Sequence, residues 1–170
     1  MDKSISVMEV NVLVLAYLGD TIYEDYIRKY LIYKGIGNVN DLQTESIQYV
    51  SAKAQAKFLM QMMENKFLTE EEINVVKRAR NYKSHSHPKN CDIITYKQAT
   101  GLEALIGYLE LKNYHNRIDE IIVFHKLTDE EIAVLVNALS MELKKCTLYN
   151  KGIKVYCTIY YNKKLMMKEF

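Results

Sequence analysis

The stretch LAYLGDTIYEDYIRKYL, residues 15–31, decides the fold class of this chain of 170 residues. Apolar residues cover nearly every side of the segment that leads into it, residues 10–18, and Ile22 and Tyr26 continue the pattern at helical spacing. A helix that is apolar on most of its sides is one that a protein core surrounds. The sequence therefore predicts one buried helix over residues 7–33.

The remainder of the chain has the pattern of an all-α protein. It contains one Pro and six Gly, too few for the frequent turns of a β-sandwich. Apolar residues at three- and four-residue steps predict a further helix over residues 42–67, and helices also fit residues 93–112 and 116–124. Thr69 and Glu72 form a T-x-x-E capping pattern that predicts the start of another helix.

Residues 127–170 differ in composition from the part before them. Thr128 opens a second T-x-x-E pattern, which predicts a last helix. Residues 144–170 then carry seven Lys and one Glu, and their β-branched and aromatic centre at 155–161 fits either a strand or a disordered tail. We expect residues 1–126 to form one domain and the rest a C-terminal extension.

Composition excludes several classes of protein. With 49% apolar and 26% charged residues the chain is ordinary for a folded domain, and a net charge of +2 is too balanced to indicate a polyanionic partner by itself. The three cysteines fit no CxxC pattern, so a disulfide framework and a zinc ribbon are not indicated and the cytoplasm is the expected location. Because no apolar run reaches the roughly 18 residues that span a bilayer, and the N-terminus lacks the apolar core of a signal peptide, we expect no membrane association.

Asp20 is a carboxylate in apolar surroundings. No charged residue lies between Glu9 and Asp20, and the helix around it is predicted to be buried. A buried carboxylate needs hydrogen-bond donors, a cation or a metal ion, because burial without a partner costs several kcal/mol. The alternative is that Asp20 points to solvent beside Glu24, one helical turn further on.

Glu103 lies in GLEALIGYLEL, residues 101–111. Glu103 and Glu110 are seven residues apart and could form a solvated stripe on one helix face. The two glycines of the segment favour another interpretation, since a Gly inside a helix costs up to about 1 kcal/mol relative to Ala and suggests close backbone approach. A glycine also precedes Asp20, so two helices packed in this way could hold one magnesium ion.

A basic segment follows the helix that begins near Thr69. Residues 77–97 hold six Lys or Arg against a single acid, and mixed basic, Asn and Ser side chains can bind phosphate oxygens of a nucleic acid without reading its bases. The predicted phosphate-contacting residues are Lys77, Arg78, Arg80, Asn81, Lys83, Ser84, Lys89 and Asn90. The alternative is a solvated basic turn. His85, His87 and Cys91 lack a fourth zinc ligand at typical spacing.

Four segments of the chain, considered together with their order along the sequence, resemble a known family. LAYLGDTIYEDYIRKYL at residues 15–31 is similar to the signature helix of the ribonuclease III family, and ATGLEALIGYLEL at 99–111 is similar to its second catalytic helix. VSAKAQA at 50–56 and KRARNYKSHSHPKN at 77–90 lie between them. The order and spacing resemble the small bacterial subgroup called Mini-ribonuclease III, over about residues 5–124.

The resemblance implies an all-α endonuclease domain, a homodimer with two sites, and metal-dependent hydrolysis of double-stranded RNA that leaves 5′-phosphate and 3′-hydroxyl ends. It implies precursor 23S ribosomal RNA as the substrate, and catalysis and metal binding by Asp20 and Glu103. The expected ion is Mg²⁺, with Mn²⁺ as a substitute. Glu24, one turn from Asp20, is a candidate to orient a water at the metal.

The chain departs from the larger members of the family at two positions, Ala16 and Thr100, where those enzymes carry acids. The Mini subgroup is similar to this chain at both. We therefore expect an active enzyme whose metal affinity depends on bound RNA. The alternatives are a catalytically inactive dimer that binds structured ribosomal RNA, and a helical interaction module with only surface carboxylates. Residues 127–170 fall outside the resemblance, and an RNA-binding extension or a dispensable tail fits them equally.

Overall fold

The computed structural model describes residues 6–83 and 91–125, and over these residues the fold is all-α. A short 3-10 helix, Val7–Glu9, precedes six α-helices of the described chain. They are α1 Val12–Tyr33, α2 Val39–Val50, α3 Ala52–Glu64, α4 Glu70–Arg80, α5 Ile93–Leu111 and α6 His115–His125. The predicted fold class is thus confirmed for the described residues, which contain no β-strand.

Helix α5 is the centre of the core. Ten of its residues are buried, all between Ala99 and Leu109. Helices α1, α3 and α4 pack on it, and the contact with α1 is the most extensive. Because other helices cover α5 on several sides, its apolar residues are not confined to one stripe.

Capping residues determine where the helices begin. The predicted capping box is present: Thr69 Oγ1 accepts a hydrogen bond from the Glu72 backbone N at 3.2 Å, and Glu72 Oε2 accepts one from the Thr69 backbone N at 2.8 Å. Asn11, with an extended backbone, caps α1 through its side chain. The predicted helix over residues 7–33 is therefore interrupted at its start, before Val12.

The prediction of one helix over residues 42–67 is wrong. Ser51 has φ −64° and ψ 148°, an extended conformation that ends α2, and its hydroxyl caps α3 by accepting from the Ala54 backbone N at 3.3 Å. Apolar periodicity runs through this residue without a break, so the periodicity alone could not locate the junction.

The described helices belong to one compact unit within residues 1–126. The predicted helix from Thr128 and the Lys-rich segment at 144–170 lie outside the described residues. The boundary between residues 126 and 127 therefore stays a prediction. Among the described helices, none is long and apolar enough to cross a membrane.

Candidate functional site

Helices α1 and α5 cross with their backbones in contact. A Cβ atom on Gly19 would lie 1.7 Å from the backbone O of Glu103, and one on Gly107 would lie 2.0 Å from the backbone O of Leu15. Any side chain at either position would push the helices apart. The predicted close approach is thus confirmed for these two glycines. Gly101 differs, because a Cβ there would meet only side chains, at 3.2 to 3.3 Å.

This crossing brings Asp20 of α1 near Glu103 of α5. Burial first, and then the negative charge of Asp20, raises the pKa of Glu103 to about 7, while the side-chain amide of Gln55 acts in the opposite direction. Asp20 is exposed over much of its surface, but its carboxylate is partly buried, and that burial together with the charge of Glu24 raises its pKa as well. The two carboxylates therefore share an environment that is short of positive charge.

Neither carboxylate is paired with a cation among the described residues. Within residues 6–83 and 91–125, the ion pairs involve other acids, and no Lys, Arg or His lies within 4.0 Å of Asp20 or Glu103. The same residues contain no group of three or more His, Cys, Asp or Glu side chains arranged around a metal. Two carboxylates nevertheless fit Mg²⁺, which protein sites commonly hold through one or two carboxylates while it keeps several waters.

Ala16 and Thr100 contribute no further acid to the pair. Each lies one helical turn before its carboxylate, Ala16 before Asp20 and Thr100 before Glu103, and each is only 5% exposed. The Thr100 hydroxyl donates a hydrogen bond to the backbone O of Tyr96 at 3.0 Å. The hydroxyl hydrogen of Thr100 is therefore used within its own helix, and neither position adds a carboxylate to Asp20 and Glu103.

Two neighbouring acids have partners on the surface. Glu24 Oε1 accepts a hydrogen bond from Arg28 Nη2 at 2.7 Å. Glu110 Oε2 lies 3.3 Å from His115 Nδ1. The interpretation of a solvated stripe therefore fits Glu110 rather than Glu103. The role of Glu24 in orienting a water stays a prediction, and the carboxylate would have to perform it while paired with Arg28.

The predicted phosphate-contacting residues differ in their surroundings. Lys77, Asn81 and Lys83 are exposed. Arg80 is half-buried, and its Cγ lies 3.3 Å from where a Cβ on Gly101 would be, which is two residues before Glu103 in α5. Ser84, Lys89 and Asn90 lie outside the described residues, as do His85 and His87.

Arg78 has a structural contact that the sequence did not predict. Its Nη1 donates a hydrogen bond to the backbone O of Met8, and its Nη2 donates one to the backbone O of Val10 at 3.2 Å. These bonds tie the segment before α1 to α4. Among the described Lys and Arg residues of 77–97, Arg78 is therefore the one whose guanidinium already donates hydrogen bonds to backbone oxygens.

Gln55 is the residue of this site that the sequence did not single out. It lies in α3 at 1% exposure, and its side chain interacts with the Glu103 carboxylate. The signal was present, because Gln55 occupies the same stripe of α3 as Phe58, Leu59 and Met62, all of which are buried. A Gln at a position where periodicity predicts an apolar residue indicates a special environment.

Known proteins match the part of the chain that carries these residues. The Ribonuclease III domain matches residues 13–114. The chain is 49% identical over 114 residues to a Mini-ribonuclease 3 of Enterococcus faecalis, covering 67% of this chain and 86% of that protein. It is 54% identical over 112 residues to a Mini-ribonuclease 3 of Brevibacillus brevis, covering 66% and 82%. A crystal structure of a protein from Fusobacterium nucleatum superposes with a TM-score of 0.63 at 34% identity, covering 69% of this chain and 95% of that one.

Proposed function

The chain belongs to the ribonuclease III family, within its Mini-ribonuclease 3 group, and from this premise we propose that this ribonuclease cleaves double-stranded RNA with a divalent cation held by Asp20 and Glu103. The observation that carries the proposal is Glu103. It is a mostly buried carboxylate beside a second carboxylate, and the described residues provide no cation for either. A divalent ion would offset the unfavourable free energy of burying both charges.

Asp20 and Glu103 would hold Mg²⁺, or Mn²⁺ in its place, and waters and RNA phosphate oxygens would complete the coordination. When bound, the ion supplies the positive charge that activates water and stabilises charge on the phosphate and on the leaving 3′ oxygen. The chain keeps both carboxylates in place through the backbone contact of α1 with α5. We expect the products to carry 5′-phosphate and 3′-hydroxyl ends.

The basic residues of α4 and the following loop would bind the RNA backbone. Duplex RNA is recognised mainly through its shape, phosphates and 2′-hydroxyls, which suits Lys and Asn side chains without a base-reading pocket. The exposure of Lys77, Asn81 and Lys83 supports this role, and so does the contact of Arg80 with α5 near Glu103. We propose precursor 23S ribosomal RNA as the substrate, with modest sequence preference.

A homodimer is supported by an apolar surface on α1. Val14 is 56% exposed and Tyr17 is 82% exposed, on the same helix as Asp20. Exposed apolar patches mark interaction surfaces, and a two-fold dimer uses the same patch on both subunits. Sedimentation of the purified protein tests this point, with a dimer as the expected species.

The proposed function is tested by cutting of a long RNA duplex in Mg²⁺, with the separated single strands as the substrate control. We expect Asp20→Asn and Glu103→Gln each to lower the cleavage rate at least about a hundredfold, since metal charge contributes several kcal/mol to such reactions, while duplex binding survives. Glu110→Gln, on the same helix, is the matched control and should cut normally. Unchanged cutting by both site variants would rule out the assigned chemistry.

A second function, an inactive dimer that binds structured ribosomal RNA, is favoured by one observation. Ala16 and Thr100 are buried without contributing carboxylates, so the site has fewer oxygens than a tightly bound metal prefers. The same experiment separates the two functions. Duplex binding by the parent protein without cutting, in both Mg²⁺ and Mn²⁺, would favour the inactive dimer.

A further inference from the structure

The described core contains three buried polar or charged side chains, those of Gln55, Glu72 and Thr100. Glu72 binds Arg117, and Thr100 binds a backbone oxygen of its own helix. Gln55 is different, because its Nε2 has no hydrogen bond of ordinary geometry within the described residues. A buried donor left unpaired is destabilising, so its presence calls for an explanation.

The explanation lies in the neighbour of Gln55. Helix α3 packs on α5, and the Gln55 amide interacts closely enough with the Glu103 carboxylate to lower its pKa. Since Nε2 nevertheless fails the geometry of a normal hydrogen bond, this contact is long or poorly aligned. Nε2 rather than Oε1 must face Glu103, because an amide oxygen would repel a carboxylate oxygen. A small rotation of either side chain would complete a charge-assisted hydrogen bond.

We propose that Gln55 is a positioning residue, whose amide donates a hydrogen bond to one oxygen of Glu103 and directs the other oxygen toward the cation shared with Asp20. The cation part of this inference rests on the proposed function. Hydrogen-bond donors of this kind orient metal-binding carboxylates in many proteins. The motif VSAKAQA, residues 50–56, thereby acquires a role that its resemblance alone did not provide.

The neutral amide suits this role better than a basic side chain. A Lys or Arg at position 55 would neutralise Glu103 and compete with the metal ion. An amide fixes the orientation of the carboxylate and leaves its negative charge in place. Arg117 illustrates the contrast, since it neutralises Glu72 with hydrogen bonds of 2.7 and 2.9 Å.

The contact is tested by a double-mutant cycle in the protein free of metal and RNA. Gln55→Met, Glu103→Gln and the double variant are compared by urea unfolding, at a pH at least one unit above the pKa of Glu103. We expect the two changes to be coupled by at least about fivefold in the unfolding equilibrium constant, because residues in contact are not additive. Gln61→Met, on the same helix, should be additive with Glu103→Gln. Additivity for Gln55 as well would overturn the proposal.

The role in cation binding has its own measurement. We expect Gln55→Met to raise the Mg²⁺ concentration that half-saturates duplex cutting by about 10- to 100-fold, the usual effect of removing a partner of a metal ligand, with KM for the duplex unchanged in saturating Mg²⁺.

A coupled cycle with an unchanged Mg²⁺ requirement would make Gln55 a packing residue and overturn its role in positioning. A parent protein that cuts no duplex would contradict the proposed function instead. The cycle uses neither metal nor RNA, so it would still decide whether Gln55 contacts Glu103.

Discussion

Glu72 and Glu103 are glutamates in two helices of the same core, α4 and α5, but of the two only Glu72 is paired with a cation within the part of the chain that the structure describes. Glu72 is 4% exposed, and Arg117 binds both of its carboxylate oxygens, at 2.7 and 2.9 Å. Arg117 also donates a hydrogen bond to the backbone O of Phe67 at 2.8 Å and lies 4.5 Å from the centre of its ring. Glu103 has another carboxylate, Asp20, and a neutral amide.

The difference separates a structural carboxylate from one that is available to a ligand. At Glu72 the chain supplies the positive charge and the hydrogen bonds that offset the loss of water. At Glu103 the described residues supply neither in full, and burial beside Asp20 raises the pKa of its carboxyl. A perturbed carboxyl of this kind is a candidate for function, and here it lies in the segment that matches the Ribonuclease III domain.

The largest effect is expected at the structural carboxylate. Glu72→Gln removes the charge that Arg117 faces and leaves a buried guanidinium with Glu120 as its remaining acidic partner among the described residues. We expect the free energy of unfolding to fall by about 3 kcal/mol, the lower end of the range for breaking a buried ion pair. Urea unfolding measures it. Glu103→Gln is the matched control and should not destabilise the protein. Equal losses of stability in the two variants would contradict the distinction between a structural carboxylate and one that is available to a ligand.

A second effect concerns the helix crossing that holds Glu103. Gly19→Ala places a methyl group 1.7 Å from a backbone oxygen that cannot rotate away, whereas Gly101→Ala meets only side chains at 3.2 to 3.3 Å. Overpacking typically costs 1 to 3 kcal/mol, and we expect about 3 kcal/mol for Gly19→Ala and less than about 1 kcal/mol for Gly101→Ala. Thermal and urea unfolding of both variants, each beside the parent, give the ranking. The reverse order would contradict the backbone contact.

The positions of the helices could be predicted from the sequence wherever a local sequence signal determined them. The capping box at Thr69 fixed the start of α4, and the predicted helix over residues 93–112 agrees closely with α5, Ile93–Leu111. The junction of α2 and α3 could not be predicted. It depends on the extended backbone of Ser51, and a Ser is equally compatible with the interior of a helix.

The site was predictable in part for a similar reason. The two glycines at the crossing indicated that α1 and α5 approach closely, and the resemblance indicated which carboxylates they carry. Gln55 was missed because its role depends on a third helix, and no periodicity within α3 shows what that helix packs against. The contacts of Arg78 with Met8 and Val10 were missed because they join residues about 70 positions apart.

The third effect is the dependence of the free energy of unfolding on pH that Glu103 contributes. Its pKa rises from 4.5 in the unfolded chain to about 7 in the folded protein, so the folded state binds the proton more tightly. The stabilisation is complete below the lower of these values and is lost as the pH rises through the higher one. We expect the parent to lose roughly 3 kcal/mol relative to Glu103→Gln across that window, at about 1.4 kcal/mol for each pKa unit. Urea unfolding at several pH values tests this, and parallel profiles for parent and variant would contradict it.

The smallest effect is expected among the basic residues, where a side chain with partners inside the protein can again be compared with one that is available to a ligand. Arg78 donates hydrogen bonds to backbone oxygens within the protein, while Lys83 is exposed. We expect Lys83→Ala and Arg80→Ala each to weaken duplex binding a few-fold and to flatten its log-log salt dependence by about one unit per phosphate contact removed. Binding titrations over a range of salt concentrations measure both quantities.

Lys29→Ala is the matched control for this measurement, because Lys29 pairs with Asp25 at 2.6 Å on the surface of α1. Its salt dependence should equal that of the parent. Arg78→Met should lower the free energy of unfolding, since its guanidinium holds the segment before α1. It should have little effect on the salt dependence of duplex binding. A slope left unaltered by both Lys83→Ala and Arg80→Ala would remove these residues from the RNA interface, and would leave the carboxylates as the part of the site that the duplex reaches.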